Sequence, residues 1–143
     1  MTLRRLARAV LVLALACPLA PAAPALAAAP AVRAVVQPPL PLDALPPQVD
    51  RACRVWEGIE WPTNPRPVDF RIPGPEFIRG GNPYGNRSGD LPAGGAYHEY
   101  DVNPRPTAKT HRDAERLVRD ERTEQTWYTD DHYANFREIS EGC

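Results

Sequence analysis

Cysteine is scarce in this chain, with three among 143 residues, and there is a single methionine. No Cys-x-x-Cys pair and no His-Glu-x-x-His run occurs, so no metal-ligand spacing is present and no metal or other cofactor is called for. No internal repeat is visible either. The long apolar run is "AVLVLALA" at 9–16, too short to span a bilayer, which argues against a membrane-spanning protein.

Excess positive charge is also missing. The whole chain carries 17 basic and 18 acidic residues, and its start holds Arg4, Arg5 and Arg8 with no acid. That start reads as a processing segment: "MTLRRLAR" is basic, the apolar run follows, and "ALA" at 25–27 offers small residues for a signal peptidase. A signal peptide over 1–27 predicts a secreted, extracellular protein. The alternative is a lipoprotein, because Cys17 closes "LALAC", although Ala14 stands where a larger apolar residue is usual. Without the leader 14 basic residues face 18 acidic ones, net −4. This excludes a grip on duplex nucleic acid through a broad basic face, so a polyanion would have to be held by a local arginine cluster.

Loss of Cys17 leaves Cys53 and Cys143. An even pair in an oxidising compartment most simply forms one disulfide, with two unpaired thiols as the alternative. About 116 residues remain, enough for one modest domain.

Residues 28–41, "AAPAVRAVVQPPLP", lack an amphipathic period and read as a flexible or extended Ala/Pro-rich arm. The domain is predicted over 42–143. In "LDALPPQVDRACRVWEGI" two prolines suit a first helical turn, and Val49, Ala52, Cys53, Trp56 and Ile59 recur at three and four residues, so a helix buries this face on a sheet. Prolines in "EWPTNPRPVDFRIPGPEF" (60–77) exclude a central strand or long helix and predict a loop. "IRGGNPYGNRSGDLP" (78–92) is dense turn chemistry around one aromatic, Tyr84, suited to a binding loop.

"AGGAYHEYDV" alternates as a strand that puts Tyr97 and Glu99 on one side, His98 and Tyr100 on the other. "TWYT" and "YANFREI" are further strands. Two readings stay open for 110–125. Thr110 and Asp113 stand at capping-box spacing with Ala114, Leu117 and Val118 at helical spacing, yet a sheet in so small a domain needs a central strand here. Either way Arg112 and Arg116, four apart, fall on one side. The fold class is α+β, one main N-terminal helix packed on a twisted antiparallel sheet.

Glu99, the Arg112 and Arg116 pair and His132 in "YTDDHYANF" supply an acid, a base and two guanidinium forks. That set suits phosphodiester cleavage without a metal. A carboxylate takes a proton from a sugar 2′-hydroxyl, an imidazolium gives one to the departing 5′-oxygen, and guanidinium groups hold the phosphoryl oxygens. Such a reaction needs RNA, because DNA lacks the internal nucleophile.

"GGNPYGNRSGDLP", "YHEYDV", the Arg112 to Arg116 spacing and "YTDDHYANF" together resemble the small secreted bacterial guanyl-specific ribonucleases, the barnase-like family, from about Leu42 to Cys143. The resemblance implies the microbial ribonuclease fold and a monomer that cleaves single-stranded RNA to a 2′,3′-cyclic phosphate and then hydrolyses it. It implies Glu99 as general base, His132 as general acid, and Arg112, Arg116 and Arg87 at the phosphate. Tyr84 and Asn86 take the guanine loop's stacking and backbone roles, and Tyr133 flanks the base. A small barstar-like protein inhibitor is the partner that family analogy adds.

Departures from the family pattern are specific. Ser88 stands where the family loop carries a glutamate for the guanine edge, so guanine preference is weakened or redirected unless Asp90 substitutes. Pro41 stands near the place of a cysteine that some relatives tie to the C-terminal one, and a Cys53 to Cys143 bridge would need the chain end to reach the helix face. The segment 103–111 is slightly longer than in close relatives. His98 reads as a cross-strand surface residue, His111 as a solvated loop residue, Trp56 as core, and Trp127 as packed on the sheet. A catalytically silent binding module on the same fold is the alternative function. A structural or inhibitory envelope protein is a third.

Overall fold

The computed structural model describes residues 35–143. The predicted leader, Cys17 and positions 28–34 of the arm lie outside the described residues. One helix, α1 (Pro47–Gly58), faces a sheet of β1 (Val35–Leu40), β2 (Val68–Arg71), β3 (Phe77–Pro83), β4 (Tyr97–Asp101), β5 (Arg116–Asp120), β6 (Thr126–Thr129) and β7 (Asn135–Ile139). The order across the sheet is β1-β7-β6-β5-β4-β3-β2. All neighbours are antiparallel except β1 and β7, which run parallel and make the sheet mixed.

Helix α1 starts where proline suits it, with Pro46 as N-cap and Pro47 in the first turn, where a missing N–H leaves no intrahelical bond unmade. Val49, Ala52, Cys53 and Trp56 are buried as their spacing predicts. Ile59 is not; it is the C-cap and 36% exposed, because Glu60 and Trp61 take left-handed backbone and turn the chain off the helix there.

Period-two alternation divides the sheet's apolar residues between two cores. Tyr100, Leu117, Tyr128 and Ile139 pack with α1, whereas Tyr97, Val118, Trp127 and Phe136 join Leu91 on the other face. Each fully buried large apolar side chain contributes roughly 1.5–3 kcal/mol, so both faces stabilise the register. The second core forms the floor under the loops that carry Tyr84 and Tyr133, both packed against it.

Three sequence expectations require correction, and one open reading is decided. Residues 35–40 are extended but not a free arm: they form β1 on β7, an edge position where Pro38 and Pro39 are tolerated. Where prolines predict a loop over 60–77, β2 forms at the opposite edge, with prolines at 65, 67, 73 and 75 outside it. Residues 78–83 of the expected turn-rich binding loop belong to strand β3, whose Gly-Gly pair is a bulge rather than a turn. The β3–β4 register shifts between Gly80 and Asn82, and Gly81 has φ +85° at a place where a Cβ would collide with the Pro62 carbonyl. At Gly80 a Cβ would meet Tyr100 and Trp56 within 2.9 Å, so the glycine lets the helix aromatic close on the sheet. Within 110–125, β5 forms and a helix does not: Leu117 and Val118 are fully buried on opposite faces, which only a strand between two paired neighbours provides.

Cys53 and Cys143 are disulfide-bonded with 5.3 Å between Cα atoms. Leu42 N–H donates to the Glu141 carbonyl at 3.1 Å, which brings the chain end to the helix face. Closing a 90-residue separation contributes about 4–5 kcal/mol in the chain-entropy argument. Cys143→Ser is expected to lower the unfolding free energy by about 2–5 kcal/mol in urea titrations, and an unchanged midpoint would show that the cross-link adds nothing.

Candidate active site

Strand β4 positions the central acid. Glu99 lies on the face opposite α1, its side chain 13% exposed, and its Oε2 accepts a hydrogen bond from the Tyr133 hydroxyl. Its Oε1 lies 3.5 Å from Arg112 Nη2. Two residues along the same face, Asp101 is 2% exposed and receives Arg112 twice, from Nε at 2.7 Å and from Nη2 at 2.5 Å. Arg116 Nε lies 3.4 Å from the same carboxylate and Arg105 Nε 3.8 Å.

A buried carboxylate is thus ringed by three guanidinium groups. Burial pushes the Asp101 carboxyl above its ordinary range, against the pull of Arg112, Arg116 and Arg105. Taking such charges out of water costs several kcal/mol each, and mutual attraction offsets this only while every partner is present. Arg116, 3% exposed, also donates to the Glu115 carbonyl at 2.6 Å and to Asp113 at 3.3 Å. Arg112 keeps 21% of its side chain exposed, so its outer edge stays open to an incoming anion.

A second acid holds the network's rear. Asp69 on β2 accepts from Arg79 Nε at 2.8 Å and from Arg105 Nη2 at 2.5 Å. Hydrogen bonding from Arg79, with help from Arg105, holds its carboxyl below the usual carboxylate range.

His132 belongs to the β6–β7 turn. It and Tyr133 have φ of +58° and +72°, left-handed values uncommon for bulky residues and tolerated where neighbours over-determine them. Here Thr129 Oγ1 accepts from Tyr133 N–H at 3.0 Å, Asp131 Oδ1 accepts from Asn135 N–H at 2.8 Å, and His132 N–H reaches the Ala114 carbonyl at 3.2 Å. The histidine's acidic neighbour therefore shapes the turn. His132 is exposed, and its ring lies 4.9 Å from that of Tyr133, whose hydroxyl is on Glu99. Burial first, then the bond to Glu99, pushes the Tyr133 phenol well up, so it stays a proton donor to that carboxylate.

The loop after β3 supplies the aromatic wall. Tyr84 lies 5.1 Å from Tyr133 at 32° and 5.9 Å from Phe136. Asn86, at φ +39°, closes the loop: its side chain donates to the Leu91 carbonyl at 2.8 Å and accepts from Leu91 N–H at 3.0 Å. Ser88 Oγ donates to the Asp90 carboxylate. Arg87 is exposed on this loop and forms no ion pair among the described residues.

Glu99, Arg112, Arg116, His132, Tyr133 and Tyr84 thus share one continuous surface. An open groove of about 710 Å³ runs on from Arg112, Arg116 and His132 along the β4–β5 loop. Asp101 is the residue that sequence reasoning missed. Alternation from Glu99 put it on the same face, and the nearby arginine pair that shares that face was the available sign that it would be buried with them.

Asp101→Asn is expected to destabilise the protein by about 3 kcal/mol, because buried Arg116 then keeps only the half-exposed Asp113 at 3.3 Å as a counter-charge and Arg112 loses its closest one. Equilibrium unfolding would contradict this if the midpoint did not move. For Asp69 the folded-state pKa is depressed, so its contribution is present above the unfolded pKa, roughly 3.9, and lost as pH falls through the folded one. Asp69→Asn should flatten the acid side of a stability-against-pH curve, and an unaltered slope there would rule this out.

A family model described as ribonuclease matches residues 29–140. The chain is similar to guanyl-specific ribonuclease Sa3 of Kitasatospora aureofaciens, 39% identical over 69 residues, 47% of this chain and 48% of that protein. It is also 39% identical over 69 residues to guanyl-specific ribonuclease Sa of the same organism, 47% of this chain and 70% of the relative. The alignment thus spans about half the length of the first relative. The crystal structure of ribonuclease Sa2 with guanosine-2'-cyclophosphate is similar at TM-score 0.45 and 23% identity, over 77% of this chain and 99% of that one. With the family match running through every described strand and the helix, the chain belongs to the ribonuclease family.

Proposed function

We propose that this chain is a secreted, monomeric endoribonuclease that cleaves single-stranded RNA by transesterification followed by hydrolysis. The observation that carries the reading is the meeting of Glu99, Arg112 and His132 around Tyr133, an acid, a cation and an imidazole on one surface. The Glu99 carboxylate takes the 2′-hydroxyl proton, and the freed oxygen attacks phosphorus. The bond from phosphorus to the 5′-oxygen breaks as protonated His132 donates to that oxygen, leaving a 2′,3′-cyclic phosphate and a 5′-hydroxyl. In the second step His132 takes a proton from water, whose oxygen bonds to phosphorus as the bond from phosphorus to the 2′-oxygen breaks and Glu99 returns a proton to that oxygen, leaving a 3′-phosphate. Arg112, Arg116 and Arg87 are the cations proposed to stabilise the charge on the phosphoryl oxygens.

The proposed base preference is guanosine, supported by the guanyl-specific relatives. Tyr84 and Tyr133 form the stacking wall, and the backbone around Asn86 faces the base. The Asp90 carboxylate, braced by Ser88, is the proposed acceptor for the guanine edge in place of the family's glutamate. A small barstar-like inhibitor protein of the producing cell is the partner proposed by family analogy.

His132→Ala and Glu99→Ala should each lower turnover by about 10²-fold or more. Near-wild-type cleavage by both folded variants would remove the mechanism. The pH profile of kcat/KM should be bell-shaped, as a mechanism that needs one general base and one general acid requires. Asp90→Asn should erode the ratio of kcat/KM for guanosine over adenosine substrates, and an unchanged ratio would relieve Asp90 of the role.

A further inference from the structure

Asp113 is the one acid on the wall of the groove, where every other charged group is an arginine, a lysine or a histidine. It is held in place. Its Oδ1 accepts the Glu115 N–H at 3.0 Å and lies 3.3 Å from Arg116 Nη1, and its Oδ2 accepts the Asn103 amide at 2.8 Å. Asn103 is itself braced, since the same amide reaches Glu115 Oε1 at 3.1 Å and the Tyr128 hydroxyl holds Glu115 Oε2 at 2.7 Å. His132 N–H is on the neighbouring Ala114 carbonyl, so the acid stands beside the turn that carries the imidazole. With 45% of its side chain exposed, Asp113 is a fixed negative charge on the wall of the groove.

An acid in that place works against the arginines beside it. Arg116 already has Asp101 at 3.4 Å, and Asp113 is its second carboxylate. Arg112 has Asp101 at 2.5 Å and Glu99 at 3.5 Å. Two guanidinium groups are therefore set among three carboxylates, and the pair brings no surplus positive charge to an anion. What it offers is direction: among the described residues, Arg112 Nη1 and Arg116 Nη2 make no protein hydrogen bond. A phosphoryl group thus gains fixed donors but meets a fixed anion, and the penalty from that anion grows with the charge the ligand brings. An internal phosphodiester brings one negative charge. A phosphomonoester brings about 1.5 to 2 at neutral pH.

We propose that Asp113 is a specificity determinant: its carboxylate lets the site take the singly charged diester of an internal RNA linkage and penalises the doubly charged monoester, so that the 3′-phosphate product leaves readily. Discrimination of this kind is a difference of affinities, built by setting a like charge against the unwanted ligand. It rests on the ribonuclease reading above.

The test uses two inhibitors that lack the 2′-hydroxyl and so cannot react. One is 2′-deoxyguanosine 3′-monophosphate, a monoester; the other is the dinucleoside monophosphate of 2′-deoxyguanosine and adenosine, a diester. Their competitive Ki values are read against RNA cleavage at neutral pH for the wild type, Asp113→Asn and Asp113→Glu, each shown by urea unfolding to be folded under assay conditions. Asparagine keeps an acceptor for the Glu115 N–H and removes the charge, whereas glutamate keeps the charge. The ratio of monoester Ki to diester Ki should fall about five-fold in Asp113→Asn, the scale of one partly exposed charge pair, and stay near the wild-type value in Asp113→Glu. A merely structural role would shift both Ki values together. An unchanged ratio in Asp113→Asn, or an equal fall in both variants, would overturn the assignment while leaving the ribonuclease reading in place. A folded wild-type protein that cleaves no RNA would overturn that reading, and the assignment with it.

Discussion

Asp101 is the constraint on which the rest of the site depends. Its backbone carbonyl accepts the indole N–H of Trp56 at 2.8 Å, and its carboxylate gathers Arg112, Arg116 and Arg105. One residue therefore ties the helix core to the cations on the opposite face of the sheet. Because a buried carboxylate is tolerable only while paired, the arginines are held at their stations before any anion arrives. Preorganised charge of this kind needs no reorientation at the moment of reaction, which is where most electrostatic stabilisation of a transition state is won or lost.

The second core gives the aromatic half of the site a comparable footing. Val118, Trp127 and Phe136 form a floor on which Tyr84 and Tyr133 pack, and Tyr133 touches both Glu99 and His132. The turn that presents His132 stores left-handed backbone, compensated by bonds to Thr129, Asp131 and Ala114. Sequence distance between Glu99 and His132 is thus irrelevant to their chemistry. The sheet order, with only β5 between β4 and β6, and the β6–β7 turn bring them to one tyrosine.

Much of this was legible in the sequence, for physical reasons that also mark where legibility stops. Local periodicity carries information about α1, β4, β6 and β7, since their apolar residues recur at the spacing of the face they bury. Prolines mislead at β1 and β2 because edge strands need fewer donors than central ones, and edge position is a property of the sheet. The Gly80–Gly81 pair reads as a turn when alone and becomes a bulge only beside Trp56, Tyr100 and Pro62. The 110–125 segment is undecidable locally, as burial of Leu117 and Val118 on both faces comes from neighbours distant in sequence. Asp101 was hidden for the same reason: an acid at a strand end reads as solvated until three arginines converge on it.

The central claim is that the acid and imidazole gathered at Tyr133 activate a ribose hydroxyl. The most direct measurement uses a DNA oligonucleotide containing a single ribonucleotide, a guanosine, with EDTA present and the product ends identified. The account predicts one cut, immediately 3′ of the ribose, leaving a 2′,3′-cyclic phosphate. Cleavage at deoxyribose linkages would contradict it. So would an intact oligonucleotide after incubation with folded, disulfide-bonded protein.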